Sequence, residues 1–294
     1  MELSRAKTVL IVAFLMLNLF LFYHLWQEEV DGIFAFGQEE EFFQLETALD
    51  AANLEMAVSL PRGGIRIGHL VVEPWKIQRN EAVLPIWDAF GFEADSSFEA
   101  LDEQRSVSEE RVIISRYSMN DYKLIIQNEG IITLSSSSTE SVNEIVTLDE
   151  TEKAAASFIA SIPFMKDFEL DYIQQSEEWM VFNYRQLFHD FPLYAGHLQL
   201  FMSGLNPSGF NLYRLEPAGF AEQEREVIPP STALMRFLEV YSHGGRKNTI
   251  VDFSLGYYSQ EYDAERWEIP PVWRIRLSNG EVYYINAFTG HLER

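Results

Sequence analysis

Residues Thr8 to Trp26 read TVLIVAFLMLNLFLFYHLW and contain no Lys, Arg, Asp or Glu. As a helix this run reaches about 28 Å, close to the hydrocarbon thickness of a bilayer. A segment apolar on every side is expected in lipid, whereas a helix lying on a soluble core keeps one polar face. Arg5 and Lys7 precede the run, while Glu28, Glu29 and Asp31 follow it. Basic flanks stay cytoplasmic, so the N-terminus is expected inside and everything after Trp26 outside, with Tyr23 and Trp26 at the outer interface. A cleaved signal peptide would end in a small-x-small site. Here Tyr23, His24, Leu25, Trp26 and Gln27 are all bulky, which predicts an uncleaved signal-anchor.

The rest of the 294 residues is long enough for one large domain or two small ones. Apolar content of 47% and aromatic content of 14% predict a folded ectodomain, not a disordered stalk. Of the formal charge of -23, residues 1–27 contribute +1 (Arg5 and Lys7 against Glu2), so the remainder is more acidic still, which excludes the cationic footprint that nucleic-acid binding requires. There is no cysteine, so neither disulfides nor thiol chemistry operate, as is common on Gram-positive surfaces.

Along the chain, residues 28–37 read as a spacer. Phe42, Leu45, Leu49 and Ala52 recur at helical spacing from Gln38 to Asn53. Strands are predicted at Leu54–Leu60 and Ile65–Glu73. Pro74 to Gln104 reads as irregular, with Trp75, Trp87, Phe90, Phe92 and Phe98 packing as an aromatic satellite. A meander is predicted at Val112–Tyr117, Tyr122–Gln127 and Ile131–Leu134. The polar run Ser135 to Thr139 marks a linker, giving expected units of 1–7 (cytoplasmic), 8–26 (anchor), 28–140 and 141–294 (extracellular).

The pattern then restarts. Asp149 or Thr151 is expected to cap a helix that runs to Ile162, and Ser231 a second with Leu234, Phe237, Leu238 and Tyr241 aligned. Strands are predicted at Phe168–Gln174, Trp179–Phe188, His197–Met202, Phe210–Glu216, Ile250–Tyr258, Val272–Ser278 and Glu281–Asn286, the last two joined by Asn279-Gly280. A helix followed by an antiparallel meander thus recurs about three times. The expected class is α+β, with one transmembrane helix followed by helices packed on curled antiparallel sheets.

Chemistry-bearing motifs are sparse. The six histidines include no H-E-x-x-H or other close pair, and His189 and His197 flank a predicted turn at Phe191-Pro192-Leu193 without clustered carboxylates. Neither a G-x-S-x-G elbow nor a P-loop occurs. No catalytic, cofactor or metal residues are therefore assigned.

Several stretches resemble the YycI family. The opening MELSRAKTVLIVAFLMLNLFLFYHLWQ is similar to that family's N-terminus. Tyr194-Ala195-Gly196-His197-Leu198, TIVDFSLGYY at Thr249 to Tyr258, and PVWRIRLSNGEVYYINA at Pro271 to Ala287 are similar to its C-terminal strands. The closing hairpin also resembles PepSY-type modules and YycH proteins. The resemblance implies a non-enzymatic accessory of the sensor histidine kinase WalK (YycG). Such a protein pairs with YycH, contacts the kinase largely through transmembrane helices and tunes cell-wall metabolism. Asn18, the strongly polar residue in mid-segment, is assigned to that contact, together with Leu15 and Phe22. Tyr257 and Tyr258 are the candidate extracellular contacts. A surface hydrolase and a PepSY-type protease inhibitor or chaperone-like module remain as alternatives.

Overall fold

A computed structural model of the chain describes residues 14, 43–77, 79–92, 99–105, 113–127, 130–137, 146–175, 179–242, 247–260 and 264–293. The predicted anchor lies outside them, apart from Phe14, which is helical and exposed. Among the described residues no helix is long and apolar enough to cross a membrane. The boundary expected at 140/141 also falls outside them, but strands on its two sides are ladder partners, as set out below.

Three units recur, each a helix followed by four antiparallel strands. The first is α2 (Arg79–Ala89) with β4 (Glu99–Arg105), β5 (Ile113–Met119), β6 (Tyr122–Gln127) and β7 (Ile131–Ser136). The central unit is α3 (Leu148–Ser161) with β8 (Phe168–Gln175), β9 (Met180–Phe188), β10 (Phe191–Ser203) and β11 (Asn206–Tyr213). The C-terminal unit is α4 (Pro230–Val240) with β14 (Asn248–Tyr257), β16 (Pro271–Leu277), β17 (Val282–Asn286) and β18 (Leu292–Glu293). Before them come α1 (43–51), β1 (Leu54–Met56), β2 (Arg66–Ile67) and β3 (Leu70–Pro74).

These units share one sheet. β7 pairs with β11, Phe210 opposite Leu134, and β10 meets β14 in parallel at Leu193 and Tyr257. β1 adds a parallel strand to β14. β3 is flanked by β12 (Leu215–Phe220) and β15 (Trp267–Ile269), and β2 pairs with β13 (Arg225–Glu226). The class is α+β, as expected. The main sheet is open rather than curled, with β18 and β4 at opposite ends.

Period-two alternation decides which face each strand buries. In β6 and β7, Leu124, Ile126, Ile132 and Leu134 point beneath α2 and α3, where they join Ile86, Trp87, Phe158, Ile159 and Phe182. The C-terminal unit builds a second core. Trp273, Ile275 and Leu277 of β16 meet Leu45 and Leu49 of α1 and Leu234 and Phe237 of α4. Between them Lys123, Gln127, Thr133, Ser135, Arg274 and Arg276 lie on the opposite face of the same strands.

Several expectations required revision. Pro74 to Gln104 is not irregular: α2 forms there despite Pro85, because Ala82, Val83, Ile86 and Trp87 supply a buried stripe. The aromatic satellite joins the core beneath α2 and α3, Phe90 edge-on to Phe158 and Trp87 to Phe92; Phe98 lies outside the described residues. α3 is capped by Thr147, not Asp149 or Thr151. Thr147 Oγ1 accepts from the Glu150 amide while the Glu150 carboxylate accepts from the Thr147 amide, a reciprocal capping box. Pro229, not Ser231, occupies the N-cap of α4. Phe191-Pro192-Leu193 extends β10 instead of turning.

Candidate functional site

The site is assembled around Arg274. β16 reads PVWRIRL, so its apolar side chains fill the core while Arg274 and Arg276 share the opposite face. That face looks onto the open side of the central unit. Arg274 donates to both oxygens of Asp171 at 2.6 and 2.7 Å, although the residues are 103 positions apart. Its Nε lies 3.1 Å from Asp252 Oδ2, an ionic contact not aligned as a hydrogen bond. The guanidinium also covers the Tyr194 ring at 4.6 Å. Tyr194 Oη and Ser254 Oγ are 2.8 Å apart, and Ser254 donates to Asp252, closing the circuit.

Register irregularities supply three of these partners. β8 shifts register between Leu170 and Tyr172, leaving Asp171 as the extra residue. β10 shifts between Leu193 and His197, which frees Tyr194, and β14 shifts between Ile250 and Asp252. A bulge bends the strand and re-aims a side chain, and here all three turn toward one guanidinium. Two glycines allow close approaches, Gly256 beside Tyr194 and Gly196, at the cavity wall, against Gln186. A Cβ on Gly256 would lie 2.5 Å from the Pro192 carbonyl oxygen and 2.6 Å from the Tyr194 ring, and one on Gly196 would lie 2.2 Å from Gln186 Oε1.

Only 2% of the Arg274 side chain is exposed, so its charge persists through its partners. Burial by itself would lower its pKa. The Asp171 hydrogen bonds and the neighbouring carboxylates outweigh that, raising it above the ordinary arginine value. Burial pushes Tyr194 up to about 12, against opposing effects from Arg274 and the Ser254 hydrogen bond. Tyr172 and Tyr284 are also raised, chiefly by burial, so both remain neutral hydroxyls at physiological pH.

Beside this cluster is a cavity of about 220 Å³ lined by Tyr172, Asn183, Arg185, His197, Gln199 and Tyr284, among others. Arg185 bonds Glu169 at 2.9 Å and lies 3.7 Å from Asp171. Gln199 donates to Asn183 Oδ1 at 3.1 Å. The arrangement has hydrogen-bonding groups of both senses and balanced charge. It contains no nucleophile and base set up for catalysis among the described residues.

The chain segments that carried the resemblance meet here: Tyr194 from one, Gly256 from the second and Arg274 and Tyr284 from the third. Comparison with known families matches residues 96–288 to the YycI protein family. The chain belongs to the YycI family. This is a family of regulatory accessory proteins of a two-component system, not a known enzyme family. No curated protein matches this YycI-family chain. Among solved structures it is similar to an uncharacterized protein from Eubacterium rectale. That likeness has 13% identity and a TM-score of 0.53, and covers 82% of this chain and 91% of the other, a likeness of fold. The Bacillus megaterium YpeB C-terminal domain is matched at 12% identity and a TM-score of 0.47, over 74% of this chain and 96% of that domain.

The anchor residues Leu15, Asn18 and Phe22 lie outside the described residues. Tyr257 is fully enclosed and donates its hydroxyl to the Gly68 carbonyl at 2.8 Å, so it belongs to the core rather than an outer surface. Tyr258 is half-buried and stacks on Tyr284 at 3.8 Å. His189 sits at positive φ in the β9–β10 turn against Phe220, and His197 projects outward beside the cavity. Arg274, Asp171 and Asp252 were not singled out by the sequence. Their one local signal is the pair of arginines at 274 and 276 alternating with Trp273, Ile275 and Leu277.

Proposed function

We propose that the chain is a single-pass regulator of the sensor histidine kinase WalK (YycG), anchored in the cell membrane of a Gram-positive bacterium by Thr8–Trp26. On this reading residues 1–7 are cytoplasmic and the described region is extracellular. Regulation proceeds by contact rather than catalysis. The anchor packs against kinase helices through Asn18, Leu15 and Phe22, and the extracellular part pairs with YycH, with Tyr258 as its accessible tyrosine. Kinase activity, and with it cell-wall metabolism, is tuned through that complex. The observation that carries the proposal is membership of the YycI family; the charge-free apolar run adds the membrane part. In lipid, helices associate by close packing and interhelical hydrogen bonds, each bond being worth about 1–2 kcal/mol or less.

Co-purification decides the matter. Full-length chain is expected to retain WalK and YycH, and removal of residues 1–27 to lose the kinase. Asn18→Leu is expected to weaken that retention. Kinase retained equally by the truncated chain would overturn the transmembrane part of the proposal.

A further inference from the structure

The open face of the central sheet carries a polar row that begins at the cavity. Reading directly across partnered positions, Tyr172 lies opposite Asn183, Asn183 opposite Gln199, Gln199 opposite Asn211 and Asn211 opposite Thr133. Five strands are crossed, and four gaps of about 4.8 Å make the row roughly 19 Å long. Their in-line neighbours, among them Leu198, Leu212 and Ile132, face the other way into the core. The row is thus the side of the antiparallel sheet away from the core, half-buried at Tyr172, Gln199, Asn211 and Thr133 and buried at Asn183.

Most of its hydrogen-bonding capacity is unspent. Gln199 and Asn183 use one bond between them and Asn183 makes a long second one, 3.4 Å to the Val181 carbonyl. Asn211, Thr133 and the hydroxyls of Tyr172 and Tyr284 make no hydrogen bond with other side chains among the described residues. Charge at the cavity end sums to zero once Arg276, over the Tyr172 ring at 4.9 Å, is included: Arg185, Arg274 and Arg276 against Glu169, Asp171 and Asp252. A charged ligand therefore meets no net counter-charge there, and the chain's net charge of -23 repels anions that Arg276 alone would attract. Peptides usually add to a free sheet edge. The edge strand bordering this face, β8, is interrupted by the Asp171 bulge, a feature that blocks strand addition.

We infer that this face binds a short, uncharged oligosaccharide, with one ring in the 220 Å³ cavity and the chain lying along the amide row. Side-chain amides donate and accept side by side, which matches adjacent sugar hydroxyls, and the tyrosine hydroxyls close the cavity end. The cavity is smaller than ordinary small-molecule pockets of about 300–1,000 Å³, which suits a single ring. The inference rests on sheet geometry and not on the kinase proposal, so either can fail alone.

The test uses the full chain in lipid nanodiscs free of glycosidic detergent, with calorimetric titration of maltotriose and the N-acetylglucosamine trimer. Binding of at least one is expected, weakened about tenfold in Gln199→Ala and in Asn211→Ala, a loss of roughly one good hydrogen bond. Both variants should unfold at the parent temperature, which separates lost contact from lost fold. Absence of binding at millimolar sugar would overturn the inference. So would undiminished binding in both variants, equal or tighter binding of the cationic glucosamine trimer, or binding of a blocked tripeptide instead.

Discussion

Two arginines, Arg274 buried and Arg214 half-buried, join distant parts of the chain, and they are held differently. Arg274 faces two carboxylates and a tyrosine ring with almost no solvent. Arg214 donates to the Phe164 carbonyl at 2.8 Å and to Asp167, beneath the Trp75 ring at 5.1 Å. Asp167 is one-third exposed, and Gln186 also donates to it at 3.3 Å. The Arg214 cluster thus has a carboxylate that water can reach, whereas Asp171 is 11% exposed and depends on Arg274. Breaking each cluster separates the cases. Arg274→Ala takes the close cation from both Asp171 and Asp252, leaving Asp171 only Arg185 at 3.7 Å, and is expected to cost about 3–5 kcal/mol. Arg214→Ala should cost about 1–3 kcal/mol, since Asp167 can hydrate. Urea unfolding measures both, and equal losses would remove the distinction.

Each cluster also depends on one glycine, and the kind of obstacle differs. A methyl at Gly256 meets the Pro192 backbone carbonyl, which cannot move without shifting β10. A methyl at Gly196 meets the Gln186 side chain, which can swing away. In doing so it would abandon the Leu215 carbonyl and amide that it now bonds at 2.8 and 3.1 Å. Gly256→Ala is expected to cost about 3 kcal/mol by overpacking, and Gly196→Ala about 1–2 kcal/mol through the lost hydrogen bonds. Thermal melts of the two variants give the order, and a reversed order would place the rigid contact at Gly196.

Much of the fold was legible because strands such as β6, β7 and β16 alternate cleanly and helices α3 and α4 carry regular apolar spacing. What the sequence hid follows from physics that spacing does not encode. Pro85 disguised α2, although Ala82, Val83, Ile86 and Trp87 are spaced as a buried stripe. Phe191-Pro192-Leu193 looked like a turn because proline lacks an amide, yet Pro192 lies within β10 as it approaches the β14 junction. The Arg274 cluster was the least legible. Its members come from four strands, and three are aimed by bulges that only long-range pairing produces. Gly196 and Gly256 belong to the similar segments, but their reason, close approach of Gln186 and Tyr194, is visible only in space.

The same comparison has a pH dependence on the Arg274 side. Unfolded, Tyr194 loses its proton near the ordinary 10.0; folded, burial holds it to about 12. A group whose folded pKa is raised contributes its full stability below the unfolded value and loses it as pH rises through the folded one. Stability should therefore fall between pH 10 and 12. Tyr194→Phe should lessen that fall, which Tyr184 and Tyr284, also raised by burial, share, while lowering stability at neutral pH by about 1 kcal/mol, through the lost Ser254 hydrogen bond. Arg214 has no tyrosine hydroxyl bonded within its cluster, so the pH slope should survive in Arg214→Ala. Urea midpoints recorded from pH 8 to 12 test this, and an unchanged slope in Tyr194→Phe would assign the titration elsewhere.

The smallest effect lies outside both clusters and calibrates them. Thr147 caps α3 from an exposed position, bonding the Glu150 amide at 3.3 Å while Glu150 returns a bond to the Thr147 amide at 3.0 Å. These hydrogen bonds lower the Glu150 pKa, so their contribution is present above the ordinary carboxylate range and lost as pH falls below it. Thr147→Ala removes one half of the box at the entrance to the helix and should cost about 1 kcal/mol, with Thr147→Ser restoring most of it. The cost should shrink in acid, when Glu150 is protonated. Melts of Thr147→Ala and Arg274→Ala at pH 7 compare an exposed cap with a buried ion cluster, and Thr147→Ala melted again in acid checks the loss of the Glu150 bond. If the Thr147→Ala loss matched that of Arg274→Ala at neutral pH, burial would not be what distinguishes them.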